Sequence, residues 1–228
     1  MLKCAALWSL TIGLCLGASC TITLPGDGTG RTYLDQTDAS IEITQVVGAA
    51  QAEVSATITD SLGRAIHFAS GQSVTIDDVP LQGPSLSGEF SATVDAADEY
   101  VVAVDEPTRG VEHTTVVAPG EFDITSPAEG GGASLSGFTL RWSPANDRFQ
   151  VQMTFSQTIF GTTETVDFGP FTDTGSRAFN ADDLQAFRQG ADLTISVTRI
   201  STVATVAGFE TGTATAGVTA KVTVTPKP

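Results

Sequence analysis

The chain has 228 residues, with 26 acidic against 11 basic side chains and a formal net charge of −15. That balance excludes the basic footprint nucleic-acid binding needs, and a polybasic contact with anionic lipid headgroups. Apolar residues make up 41%, enough for real cores, and no apolar run is long enough for an ordinary transmembrane helix.

All three cysteines, Cys4, Cys15 and Cys20, lie in the first twenty residues, so no disulfide is expected to staple the rest. Those residues read MLKCAALWSLTIGLCLGASC. Lys3 supplies a positive start, Ala5 to Leu16 a short apolar run, and Gly17, Ala18 and Ser19 a stretch of small side chains. This is a secretory signal pattern, too short and wrongly flanked for a membrane span.

The stretch Leu16-Gly17-Ala18-Ser19-Cys20 resembles the lipobox of bacterial lipoproteins. The departure is Gly17, where that family usually has leucine; Leu16 sits one place too early. The resemblance implies cleavage before Cys20, a diacylated Cys20 thiol and a membrane-anchored mature protein, since two or more acyl chains hold firmly where one does not. Thr21, not Asp, follows the cysteine, which in the family implies the outer membrane of the cell envelope. Residues 1–19 are thus expected to be the signal peptide. Residues 20–40, polar and rich in Gly, Thr and Asp, are expected to be the acylated cysteine and a flexible tether.

From Ile41 the pattern has period two. Ala52, Val54, Ala56 and Ile58 alternate with polar residues, and Asp60-Ser61-Leu62-Gly63-Arg64 follows as a turn. Val74 and Ile76 alternate likewise; Glu89 to Val94, Tyr100 to Val104 and Val111 to Val117 read as further strands. The first unit is expected to end near Ala118-Pro119-Gly120, giving a domain at 41–121 and a second at 122–228.

In the second unit Phe138, Leu140 and Trp142 alternate with polar residues. Phe149, Val151, Met153 and Phe155 form the clearest half-buried strand; Leu193, Ile195 and Val197 repeat the pattern, and Val218 to Val224 close it. Gly130-Gly131-Gly132 reads as a loop. One helix is predicted over 181–189, with Asn180 as N-cap, Asp182 and Asp183 at the positive end of the dipole, and Gly190 as stop.

Residues 123–228 resemble a fibronectin type III or related immunoglobulin-like domain. The resemblance rests on the Ser126-Pro127 start, the Leu140-Arg141-Trp142-Ser143-Pro144 strand end, the long alternating strand after it, and the Leu193–Val197 strand. It implies a buried Trp142; the absence of tyrosine from these residues departs from the family's tyrosine corner. The first unit looks immunoglobulin-like in a looser sense, and a transthyretin-like or carboxypeptidase-regulatory-like sandwich fits it nearly as well. The expected fold is all-β: two tandem immunoglobulin-like or fibronectin type III-like β-sandwiches after a signal peptide and tether.

No catalytic set, cofactor or metal is expected. His67 and His113 are the two histidines, and no Gly-x-Ser-x-Gly elbow accompanies them. Two histidines without cysteine make an incomplete zinc or copper set. The pairs Asp77-Asp78, Asp98-Glu99, Asp105-Glu106 and Asp182-Asp183 read as solvated acidic surface, with Asp95, Asp98 and Glu99 the most compact candidates for weak calcium binding. Trp142 is in phase with Phe138 and Leu140, and Tyr100 begins an apolar run, so both are expected to be packed. Phe160, Phe168 and Phe171 are candidates for a binding patch or for loop anchors. These features point to a non-catalytic envelope protein anchored in the membrane by lipid at Cys20, with a binding or structural role. The alternative is a carbohydrate- or protein-binding accessory module of a larger envelope complex; a hydrolase is the third reading.

Overall fold

The structure is a computed structural model that describes residues 32–83 and 88–228. The expected signal peptide, Cys20 and most of the expected tether lie outside the described residues. The described chain is all-β. Among the described residues no helix is long and apolar enough to cross a membrane.

A single 3-10 turn at Leu34–Gln36 leads into β1 (Thr37–Val46), β2 (Gln51–Asp60), β3 (Ser73–Ile76), β4 (Val79–Pro80), β5 (Glu89–Asp95), β6 (Glu99–Glu106) and β7 (Gly110–Val117). There follow β8 (Asp123–Ser126), β9 (Gly132–Ser134), β10 (Gly137–Ser143), β11 (Gln150–Ile159), β12 (Thr162–Thr172), β13 (Ser176–Asn180), β14 (Leu193–Val203) and β15 (Thr211–Lys227). One large sheet has the order β12-β11-β14-β15-β1-β2-β5, with β9 also paired to β15. Two smaller sheets have the orders β4-β3-β6-β7 and β13-β10-β8.

Two apolar cores result. The first places Ile41, Ile43, Val54, Ile58, Phe90 and Val94 of the large sheet against Val74, Ile76, Tyr100, Val102 and Val104 of the four-stranded sheet. The second places Val151, Met153, Phe155, Leu193, Ile195 and Val197 against Leu140, Trp142 and Phe179 of the three-stranded sheet. Both are built from the alternation visible in the sequence, since successive side chains of a strand point to opposite faces.

Strand β15 serves both cores. Ala214 and Ala216 belong to the first, and Val218, Ala220, Val222 and Val224 to the second. All six lie on one face of the strand because they are separated by multiples of two. Both small sheets therefore cover the same face of the large sheet, side by side, and its other face carries the polar partners of the alternation.

The expected boundary at 121/122 separates most of the two sets of core residues but not the strands. The first core is completed from the far end of the chain by Val206, Phe209, Ala214 and Ala216, and β1 pairs in parallel with β15 from Asp38↔Thr211 to Val46↔Thr219. Gly212 permits this closure: a Cβ there would lie 2.9 Å from Val206 Cβ. The Val206 N–H donates to Gly212 O at 2.9 Å.

Two other expectations need correction. The end of the expected tether is folded: Leu34 and Thr37 are fully buried, β1 begins at Thr37 rather than Ile41, and the Thr37 hydroxyl donates to Leu34 O at 2.6 Å. Leu34 is the apolar anchor that draws this polar stretch onto the first core. The helix predicted over 181–189 is a run of turns. Its cap is real, since Asn180 Oδ1 accepts the N–H groups of Asp182 and Asp183 while Asp183 Oδ2 accepts that of Asn180. Leu184 and Phe187 are buried in the second core as the spacing implied. The Gln157 side chain then takes over the backbone, accepting the Arg188 N–H and donating to Arg188 O and Ala191 O. A helix this short cannot repay its nucleation, so anchors and turns decide the local path. In the glycine-rich loop, Gly132 opens the short strand β9, which runs parallel to the end of β15.

Where the two cores meet, the buried polar side chains Arg199 and Gln45 flank Val218 of β15. Arg199 of β14 follows Leu193, Ile195 and Val197 in phase and is 1% exposed. Its Nε donates to Asp173 Oδ2 at 2.7 Å, its Nη1 to Gly120 O at 2.7 Å and its Nη2 to Pro144 O. Its guanidinium lies 4.5 Å from the Phe122 ring centroid. Asp173, equally buried, also accepts the Trp142 Nε1–H at 2.6 Å. Trp142 is thus a core residue with its polar edge satisfied. On β1, beyond β15 in the large sheet, Gln45 Oε1 accepts the Tyr100 hydroxyl at 3.3 Å. Burial pushes the Tyr100 phenol above its ordinary value of 10.0, with Asp77 and Asp98 adding to the rise against the lowering effect of the Ala97 N–H.

The turn after β2 has its own electrostatics. Asp60 Oδ1 accepts the N–H groups of Leu62 and Arg64, both at 2.9 Å, and Oδ2 accepts Arg64 Nε at 2.6 Å. Burial pushes this carboxyl up, but the Arg64 side chain and these backbone donors together hold it below the ordinary 3.8. A depressed folded value means the turn adds stability above the unfolded value, and loses it as pH falls through the folded one. The stability difference between the wild type and Asp60→Asn is expected to be constant at neutral pH. It should shrink in acid, below about pH 4, in urea titrations at stepped pH. A gap unchanged down to pH 2 would contradict this origin.

Candidate binding face

The face of the large sheet that the two small sheets leave uncovered is polar. Its centre is a trough of about 450 Å³ crossing β11, β14, β15 and β1. Seven hydroxyls line it: Ser40 and Thr44 of β1, Thr154 of β11, Thr198 and Thr202 of β14, and Thr215 and Thr219 of β15. The Gln152 amide joins them, and Glu42 is the one charged side chain in the lining. Gly217 forms the floor, opposite Ile200 on β14 and Thr44 on β1.

The local sequence explains the trough. Threonine is a strong strand former, and its alternation with Ala and Val along β15 sends every hydroxyl outward. Cross-strand pairs then order the hydroxyls: Thr198 and Thr219 approach to 2.8 Å, and Thr202 and Thr215 to 3.2 Å. Gly217 breaks the row of side chains. A Cβ there would lie 3.1 Å from Thr198 Cγ2, closer than side chains normally pack, so a larger residue would have to displace the Thr198 side chain. A glycine inside a strand often marks a close approach by a ligand or backbone. Each hydroxyl both donates and accepts, so the lining can meet a ligand whose own groups do the same.

The residues singled out in the sequence fall elsewhere. Cys20 lies outside the described residues. His67 is exposed in the loop after β2, and His113 is exposed on β7, where it flanks a hollow with Asp77 and Asp78. Asp77 and Asp78 form the two-residue turn between β3 and β4, with φ of 48° and 64°, as a type I′ hairpin requires. Glu106 is buried, accepting the Gln72 amide at 2.6 Å and the Leu34 N–H at 3.4 Å. Asp182 and Asp183 belong to the capped turn. Among the described residues no three His, Cys, Asp or Glu side chains are grouped to hold a metal ion, Asp95, Asp98 and Glu99 included.

The three phenylalanines separate. Phe168 packs on the second core, 5.0 Å from Phe155 and 4.9 Å from Phe179 between ring centroids. Phe171 lies under the Arg177 guanidinium at 3.8 Å. Phe160 alone of the three stands fully exposed, at the tip of the β11–β12 hairpin with a φ of 50°. A bulky side chain is seldom held in that backbone region without reason.

Sequence reasoning passed over the Ser/Thr trough and the Arg199 pair. The signals were present: Arg199 occupies an inward phase and Gly217 an outward one in otherwise regular strands. No protein-family model matches the chain, and no curated protein sequence matches it.

Proposed function

We propose that this chain is a lipid-anchored bacterial envelope protein that binds a carbohydrate rather than performing catalysis. Its two halves are proposed to be immunoglobulin-like sandwiches. The lipobox-like sequence before Cys20 supports the anchor and its outer-membrane placement. The single observation that carries the binding reading is the hydroxyl-lined trough over Gly217. Its lining is neutral but for Glu42. It suits a polyhydroxylated ligand, which takes many reciprocal neutral hydrogen bonds.

The anchor is tested by the mass of the N-terminal peptide from membranes, beside a Cys20→Ser control. A diacylated Cys20 start supports it, and an unmodified start in the soluble fraction overturns it. The trough is tested by nuclear magnetic resonance titration with soluble chitin, cellulose and peptidoglycan fragments. Shifts centred on Thr198, Thr215 and Gly217 are expected. Gly217→Val, which would push the Thr198 side chain aside in the trough, should weaken binding about tenfold or more, with its melting curve measured beside it to separate lost binding from lost fold. Shifts elsewhere, or a Gly217→Val protein that binds as before, would exclude the trough as the site.

A further inference from the structure

From the free edge of the large sheet, we infer that β12 docks an extended basic segment of a partner protein by strand addition. Among the described residues β12 pairs with β11 alone, and its outer edge carries no strand. Two other edges, β5 and β7, already carry contacts. On β5, Ser91 exchanges two backbone hydrogen bonds with Gln82 at 2.7 and 2.8 Å. On β7, Thr114 Oγ1 accepts the Ala207 N–H of the loop that crosses there.

The usable edge runs from Thr162 to Phe168, about 23 Å at strand rise. Beyond it, Pro170 has no N–H to offer and the register with β11 shifts. Along this edge Val166 and Phe168 are only partly buried and pack on the second core. They leave apolar surface that an added strand would cover with alternate side chains. At the hairpin end the same inward row opens into a hollow of about 240 Å³ bounded by Ile159, Phe160, Glu164, Ala186 and Arg188. The exposed Phe160 ring is positioned to close over a side chain seated in that hollow.

Charge selects the occupant. The charged residues of β12 are both acidic: Glu164 faces inward, opposite Gln157, and Asp167 faces outward, opposite Thr154; Arg188 borders the hollow, which therefore takes an apolar side chain of the segment while its basic residues meet the strand itself. A second copy would bring the same acids to the edge on a chain of net charge −15. An extended segment with lysine or arginine beside alternating apolar residues meets them with opposite charge.

The test uses a labelled synthetic peptide of about nine residues alternating valine with lysine and threonine. Binding is read by fluorescence anisotropy, and the site by amide hydrogen exchange. The inference expects saturable binding with slowed exchange confined to 162–168. It also expects about five- to tenfold weaker binding to Glu164→Lys and to Glu164→Lys/Asp167→Lys. The charge-reversed double variant should prefer the peptide with glutamate in place of lysine, and Gly217→Val should bind as the wild type does. Equal binding of a peptide with its valines and lysines grouped in blocks would overturn it. So would protection on β5 or β7, or association of the free protein into dimers through β12.

Discussion

A fragment covering residues 32–121 is expected not to fold, although it contains most of the first core. Cutting there removes Val206, Phe209, Ala214 and Ala216, which are at most 9% exposed in the whole chain. It also removes the parallel ladder of β1 with β15, turning β1 from a central strand into an open edge. Burying those four side chains is worth several kcal/mol at about 25 cal/mol per Å², comparable with the entire net stability of a small domain. The fragment should show little dispersion in amide spectra and no cooperative melting. Adding residues 193–228 as a separate chain should restore some structure. A cooperative, well-dispersed 32–121 fragment would show that the shared strand is not needed for the first core.

Asp173→Ala is expected to destabilise the whole protein by about 3–5 kcal/mol, measured by urea denaturation with circular dichroism. The substitution leaves the Arg199 guanidinium, 1% exposed, without its carboxylate, and the Trp142 indole N–H without an acceptor. Asp173 also accepts the backbone N–H groups of Asn146 and Gly175 at 3.1 and 3.2 Å, so one residue ties two loops to β14. The cost is chiefly that of an uncompensated buried charge, and removing both charges should relieve it. Arg199→Met with Asp173→Leu is accordingly expected to recover a large part of the loss. A single variant within about 1 kcal/mol of wild type would mean that water enters the seam and solvates Arg199.

Much of this architecture is legible in the chain. The alternation at Val151, Met153 and Phe155 and at Leu193, Ile195 and Val197 predicted half-buried strands, and these are β11 and β14 in the structure. The Asp60 turn and the buried Trp142 also follow from local pattern. The Asn180 cap was readable, but the helix after it was not realised, because Leu184, Phe187 and the Gln157 amide outweigh so weak a local preference.

Side-chain period is a property of a strand by itself, so the sequence alone determined which residues face inward and that most of the outward ones along β14 and β15 are hydroxyls. Pairing is a property of the whole chain. Asp38 and Thr211 meet across 173 positions of sequence, and nothing near either residue names the other. Only the tertiary structure decided that β15 runs through both cores, that Arg199 falls at their junction, and that β12 is left as an edge. Each depends on which distant strands bury their apolar faces together, a free energy summed over the whole sheet rather than stored in any local stretch of chain.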